Sequence, residues 1–147
     1  MTQTHGPLHV LTEKPSVASH IMAQLRDREL QQDQHRFREN LRRLGQITAY
    51  EISRTLDFET RTVQTPLAPA KCEFIAQPPV LAVIMRAGLP FYNGFLDFFP
   101  QSENAFIGAY RAPHREDNSF DIAMDYVATP DLKGRTLILI DPMLATG

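Results

Sequence analysis

Residues 137–147 read LILIDPMLATG. A short apolar run, Leu137 to Ile140, is followed by a single acid, Asp141, and then by small residues that include Thr146 and Gly147. An unbroken apolar run of this length predicts a strand covered on both faces, as in a parallel sheet. An acid and a small-residue turn directly after such a strand favour a ligand-binding loop that leads into a helix.

Two earlier runs have the same character. They are VLAVIM at residues 80–85 and AFIGAY at residues 105–110. Between them, LPFYNGFLDFF at residues 89–99 places apolar side chains at helical spacing, with Pro90 near the start. The order strand, helix, strand predicts a βαβ unit, and with it an α/β fold built on a parallel sheet.

The N-terminal part of the chain predicts two helices. The first runs from Pro15 to about Leu30 and the second from about Asp33 to Leu56, because apolar residues recur at helical spacing in both. Gly45 is a weak position in the second helix unless another segment packs there.

The remaining segments are polar or rich in proline. TRTVQTPL at residues 60–67 is polar and β-prone, and LAPAKCEFIAQPP at residues 67–79, with Pro69, Pro78 and Pro79, predicts a connection with a short strand. FDIAMDYVA at residues 120–128 alternates apolar and polar side chains, which is typical of a half-exposed antiparallel strand. We interpret residues 111–130 as an arm, or flap, inserted between two core strands.

Length, composition and charge limit the classes of protein to which the chain can belong. The 147 residues, 43% of them hydrophobic and 22% charged, suit a single globular domain: residues 1–58 form an N-terminal arm with helices, and residues 59–147 form the first part of an α/β core. The formal net charge of −2 gives no overall case for binding nucleic acid or a membrane surface. No apolar stretch approaches the length of a membrane span and the first residues lack a secretory pattern, so we expect a cytoplasmic protein.

The residues that most often bind metals form no convincing site. Cys72 is the single cysteine, which excludes an internal disulfide and suggests a small apolar filler. His5 and His9 are four residues apart, but Gly6 and Pro7 between them argue against a helical metal-binding pair. We predict no metal site made by side chains of this chain.

Polar residues that suit a phosphorylated sugar follow each of the three apolar runs. Arg86 to Gly88 follow the first run, Arg111 the second and Asp141 the third. The carboxyl ends of parallel strands share one edge of the sheet, where ligands bind. A guanidinium pairs with phosphate oxygens, and a carboxylate accepts hydrogen bonds from neighbouring ribose hydroxyls. Each residue alone is an ordinary surface or turn feature, so the prediction depends on their coincidence at three strand ends.

Several of these segments resemble uracil phosphoribosyltransferases. LIDPMLATG is similar to their ribosyl-phosphate loop, IMRAGLPFYNGFLDFFP to their pyrophosphate loop and the helix after it, and IGAYR to the next strand. RFRENLRRLGQITAYEI resembles their N-terminal helices, so the similarity covers about His9 to Gly147. The uracil branch has Asp-Pro where most related transferases have two adjacent acids. Pro90 and Asn93 depart from the family, which has a glycine and an acid there.

The resemblance implies a reaction in which uracil displaces pyrophosphate from phosphoribosyl pyrophosphate to give UMP. It implies Mg²⁺ bound through phosphoribosyl pyrophosphate. The charge and composition predict no nucleic-acid or membrane partner. The apolar residues of the arm need a covering surface and so predict a homodimer; they are Phe120, Ile122, Met124 and Tyr126. Arg86 and Arg111 would contact the pyrophosphate and Asp141 the ribose, and these three residues would carry the catalysis. The whole substrate-binding set would be Arg86, Ala87, Gly88, Arg111, Asp141, Pro142, Met143, Leu144, Ala145, Thr146 and Gly147.

Two alternatives to a working enzyme stay open. In the family, the segment that reads uracil follows the Thr-Gly turn, so we expect this chain to be C-terminally incomplete and inactive by itself. One alternative is a non-catalytic regulator that binds nucleotide or RNA, although the chain shows no long basic run to favour it. The other is a fragment that serves only dimerisation.

Overall fold

The computed structural model of the protein describes residues 7–111 and 122–143. Within them lie three α-helices and six strands. Their bounds, in chain order, are α1 (Val17–Arg26), α2 (Gln34–Ser53), β1 (Phe58–Gln64), β2 (Pro69–Ile75), β3 (Val80–Met85), α3 (Leu89–Phe98), β4 (Asn104–Arg111), β5 (Ile122–Ala128) and β6 (Leu137–Ile140).

Both N-terminal helices are confirmed, with ends set by capping side chains. Ser16 caps α1 by accepting a hydrogen bond from the Ala18 amide, and Ser19 completes a capping box. After α1, the Asp27 carboxylate accepts from the Glu29 and Leu30 amides and turns the chain into a short 3-10 segment. Asp33 then caps α2, which therefore begins at Gln34.

The helices α2 and α3 meet through two glycines. A Cβ on Gly45 of α2 would overlap the Phe91 carbonyl oxygen and lie 3.2 Å from Gly94 Cα. A Cβ on Gly94 of α3 would overlap the Arg42 carbonyl oxygen and lie 2.7 Å from the Gln46 nitrogen. The glycine predicted to be a weak position in α2 is therefore the place where the two helix backbones touch.

The main sheet has the strand order β5-β4-β3-β6. The central strand β3 pairs in parallel with β4 on one side and with β6 on the other, whereas β5 pairs antiparallel with β4. Helix α3 connects β3 to β4, so the predicted βαβ unit is confirmed. The predicted antiparallel strand is confirmed over Ile122–Ala128; residues 112–121 of the predicted arm lie outside the described residues.

The core lies between one face of this sheet and the two packed helices. Burial of apolar surface is the main favourable term in folding, and it is concentrated here. The buried cluster consists of Leu81, Val83, Ile138 and Ile140 from the sheet, Tyr92 and Phe95 from α3, Phe99 directly after α3, and Ala49 from α2.

The opposite face of β6 differs from our prediction. A strand covered on both faces was expected, but Leu137 and Leu139 are 44% and 59% exposed. They alternate with the buried Ile138 and Ile140, so only one face of β6 is covered by the described residues.

Residues 58–75 form a β-hairpin instead of the predicted connection with a short strand. Strands β1 and β2 pair antiparallel over seven residues each, as a separate two-stranded sheet. The turn is closed by Thr65, whose hydroxyl bonds to the Ala68 carbonyl at 2.6 Å and accepts from the Ala68 amide at 3.2 Å. Cys72 lies in β2, half-buried and unbonded to other sulfur. No helix in the described part of the chain is long and apolar enough to cross a bilayer.

Candidate functional site

The sheet brings the predicted site residues to one edge. Arg86 directly follows β3, Arg111 is the last residue of β4, and Asp141 directly follows β6. Because β3 lies between β4 and β6 and all three are parallel, their carboxyl ends face the same way. This is the edge at which open α/β sheets bind ligands.

The strand register places the three positions at different heights above that edge. Ile140 is opposite Val83, so Asp141 is level with Ile84. Met85, the last residue of β3, is opposite Gly108, and Arg111 lies three residues beyond Gly108 in β4. The chain turns at Arg86 and β4 has a bulge between Gly108 and Ala109, so the three positions are staggered and Arg111 extends farthest along the strands.

The turn from β3 into α3 depends on Gly88. Its φ of −68° is ordinary, so the left-handed freedom of glycine is not what the turn uses. A Cβ at Gly88 would instead lie 2.7 Å from the Ile84 carbonyl oxygen and 3.4 Å from the Ile140 carbonyl oxygen. The loop after β3 thus rests directly on the end of β6, one residue before Asp141. The peptide bond between Met85 and Arg86 is cis.

Helix α3 begins at this loop with features that suit an anion. Its first turn contains no acidic residue, and its N-cap, Gly88, provides no side-chain hydrogen bond. The positive end of the helix dipole attracts negative charge. This dipole, rather than free amide groups, is what α3 offers, because Pro90 has no N–H and the Leu89 amide donates to the Arg86 carbonyl at 3.3 Å. Arg86 is exposed beside it, so a guanidinium and a helix start lie together at the end of β3.

Asp141 presents an exposed carboxylate at the end of β6. Its Oδ1 accepts one long hydrogen bond, 3.4 Å, from the Met143 amide, which leaves most of its acceptor capacity open. Pro142 is half-buried and Met143 is 65% exposed. Leu144, Ala145, Thr146 and Gly147 lie outside the described residues, as does the side chain of Arg111.

Basic residues of α2 line a pocket together with Arg86, which was not predicted from the sequence. A surface pocket of ≈ 460 Å³ is lined by Arg86 and Asn93 together with His35, Arg38, Glu39 and Arg42. The α2 positions are spaced i, i+3, i+4 and i+7, which puts them on one helix face. Taken alone, the mixed charges of residues 36–43 predict an ordinary solvated helix face. The helical spacing of the basic residues was the available signal.

Two of the charges in this region are already paired with each other. Arg42 donates to the Asp97 carboxylate from Nε at 2.9 Å and from an Nη at 3.1 Å, and Gln46 donates to it at 2.8 Å. The Arg42 guanidinium, and next the Gln46 amide, hold the pKa of Asp97 below its usual value. This cluster ties α2 to α3 beside the two glycines.

Fold and site together define an α/β protein with a candidate anion-binding edge at the ends of three parallel strands. Its sequence matches the model of one family, described as uracil phosphoribosyltransferase, over residues 11–147. The chain belongs to the uracil phosphoribosyltransferase family.

Individual proteins agree with that assignment. The chain is 46% identical over 132 residues to a uracil phosphoribosyltransferase of Porphyromonas gingivalis, covering 90% of this chain and 61% of that one. It is 37% identical over 152 residues to a uracil phosphoribosyltransferase of Halobacterium salinarum, covering 99% and 65%. The solved structure of the AQ2163 protein from Aquifex aeolicus is similar with a TM-score of 0.75 and 28% identity, covering 90% and 62%. The chain therefore spans about three fifths of the length of these relatives.

Proposed function

We propose that this chain carries the phosphoribosyl pyrophosphate-binding part of an enzyme that transfers the phosphoribosyl group to uracil, giving UMP and pyrophosphate. The observation that supports the proposal is the convergence of Arg86, Arg111 and Asp141 at the carboxyl edge of β3, β4 and β6. Family membership supports the choice of reaction.

The proposed chemistry asks for positive charge and positioning rather than a protein nucleophile. As the bond from the anomeric carbon to pyrophosphate breaks, negative charge grows on the leaving group. Arg86 and the start of α3 would hold that group, with Arg111 as a second contact. Asp141 would accept hydrogen bonds from the ribose hydroxyls and so orient the sugar.

Mg²⁺ enters the proposal with the substrate. The ion would be bound through the phosphates of the substrate, and the exposed Asp141 carboxylate, which would contact the ribose, suits a positive charge beside it. When bound, the ion would reduce the negative charge of the departing pyrophosphate. Pro142 to Gly147 would begin the cradle for the 5′-phosphate.

A chimera tests the proposal. Residues 1–147 joined to the C-terminal part of the Porphyromonas gingivalis relative should form UMP from uracil and phosphoribosyl pyrophosphate. The 147 residues alone should form none, because they span only about three fifths of the relatives. A folded chimera that forms no UMP, or UMP formation by the 147 residues alone, would refute the proposal as stated.

A further inference from the structure

The pocket between α2 and the start of α3 has an excess of unpaired positive charge. Of the three arginines that line it, Arg42 is paired with Asp97. Arg38 and Arg86 are exposed, and neither is in an ion pair among the described residues. The acid that lines the pocket is Glu39, which is half-buried. In the part of the chain that the structure describes, two guanidinium groups outside any ion pair therefore line the pocket together with one carboxylate.

Neutral residues complete the pocket wall on the side of α3. Asn93 lines the pocket without a charge, and no acidic residue lies in the first turn of α3. The same wall contains Leu89 and Pro90, so the helix start is exposed to whatever fills the pocket. Each of these features favours a bound anion over a cation.

Arg38 and Arg86 line the same pocket because of the way α2 and α3 cross. Arg38 lies two turns before Gly45 on the same face of α2, and Gly45 touches the backbone of α3. A larger residue at Gly45 or Gly94 would hold the helices apart and would move Arg38 away from the loop that contains Arg86. The two guanidinium groups thus come from distant parts of the sequence and line one pocket.

We propose that Arg38 binds the same pyrophosphoryl group as Arg86, from the α2 side of the pocket. The inference rests on the proposed function and extends it to a residue outside the three strand ends. Two guanidinium groups offer several donors in fixed fork geometry, which suits the many oxygens of a diphosphate better than those of a single phosphate.

The test is the binding of inorganic pyrophosphate to the 147-residue chain, measured by isothermal titration calorimetry. Arg38→Gln and Arg86→Gln should each weaken binding about tenfold, as expected for loss of a charge-assisted contact. Arg36→Gln is the matched control. It removes the same charge from the same helix, but Arg36 pairs with Asp33, 3.8 Å away, and does not line the pocket.

A second variant distinguishes the loss of a binding contact from misfolding. Glu39→Gln removes the pocket's carboxylate and should tighten pyrophosphate binding by about threefold, a gain that a damaged fold would not produce. Arg38→Lys keeps the charge and should lose less than Arg38→Gln.

The outcomes separate the inference from the proposed function. If Arg86→Gln weakens binding and Arg38→Gln does not, the role of Arg38 is overturned and the proposed function stands. If Arg38→Gln weakens binding and Arg86→Gln does not, the shared contact and the assignment of Arg86 both fail. An equal loss in Arg36→Gln, or no binding by the unmodified chain, would also overturn the inference.

Discussion

Gly45 of α2 and Gly94 of α3 face each other where the two helices cross, so closely that neither position has room for a Cβ. Gly45→Ala and Gly94→Ala should each destabilise the protein by about 2 kcal/mol, the usual cost of overpacking a tight contact. The direction of the change in the free energy of unfolding is informative, because alanine is favoured over glycine by about 1 kcal/mol in an exposed helix interior. Urea unfolding measures the change, and a stabilised Gly45→Ala variant would contradict the described crossing.

The Arg42–Asp97 ion pair should make stability depend on pH at the acid end. The pKa of Asp97 is lowered in the folded protein from its usual 3.8 by Arg42 and Gln46, so the unfolded chain takes up the proton first as pH falls. The stabilisation is complete well above pH 4 and is lost as pH falls through the folded pKa. Asp97→Asn should cost about 0.5 kcal/mol near pH 7, a small amount because both side chains are partly exposed. The difference in Tm between the unmodified protein and Asp97→Asn should shrink toward pH 3. A difference that stays constant with pH would show that the Arg42–Asp97 ion pair is not its cause.

Gly88 should be required for the position of the loop after β3. A Cβ there meets the Ile84 carbonyl and the Val83 side chain, both at 2.7 Å, so Gly88→Ala should cost about 1–3 kcal/mol in urea unfolding. In the chimera, the same change should raise the KM for phosphoribosyl pyrophosphate. Gly134→Ala is a useful control: Gly134 has a φ of 67° but no atom within 4 Å, so it tests backbone strain alone. Equal KM values for Gly88→Ala and the parent chimera would contradict this role.

Asp141→Asn in the chimera should separate ligand binding from folding. Asp141 is exposed and accepts one long hydrogen bond, so thermal stability should change little. The kcat/KM for phosphoribosyl pyrophosphate should fall about a hundredfold if the carboxylate orients the ribose in the transition state. An unchanged kcat/KM would remove Asp141 from the site.

A homodimer is expected from exposed apolar side chains on β5. Tyr126 and Val127 are 55% and 52% exposed, adjacent to the arm predicted from the sequence. Sedimentation velocity at micromolar concentration should show a dimer, and Tyr126→Lys should shift it toward monomer. A monomer for the unmodified protein would count against the expectation.

The sequence was most informative where one strand or helix could be interpreted alone. Unbroken apolar runs predicted β3, β4 and β6, and their order predicted the βαβ unit, because strands covered on both faces need no polar alternation. The same rule was wrong for one face of β6, since nothing in LILI distinguishes a leucine that will be covered from one that will not. Leu139, for example, is 59% exposed, whereas the neighbouring Ile140 is buried.

Features that join distant segments could not be predicted. The hairpin of β1 and β2 was missed because the prolines around it argued for a connection, whereas Pro69 begins β2 and needs no ladder hydrogen bond there. Nothing in the sequence around Gly88 indicates that this residue lies against the end of β6. Arg38 was interpreted as a solvated charge because the partner surface on α3 follows about 50 residues later in the chain.

The contact between Gly88 and the end of β6 has a consequence for how this site responds to substitutions. The gap between the loop that starts α3 and the strand that leads to Asp141 is bridged by main-chain atoms, with the position of a Gly88 Cβ only 3.4 Å from the Ile140 carbonyl oxygen. Replacing the side chain of Arg86, Ala87 or Pro142 should therefore leave the distance between this loop and the end of β6 unchanged. Such substitutions should alter affinity through the lost side chain alone, whereas a change at Gly88 should alter the geometry of the site itself.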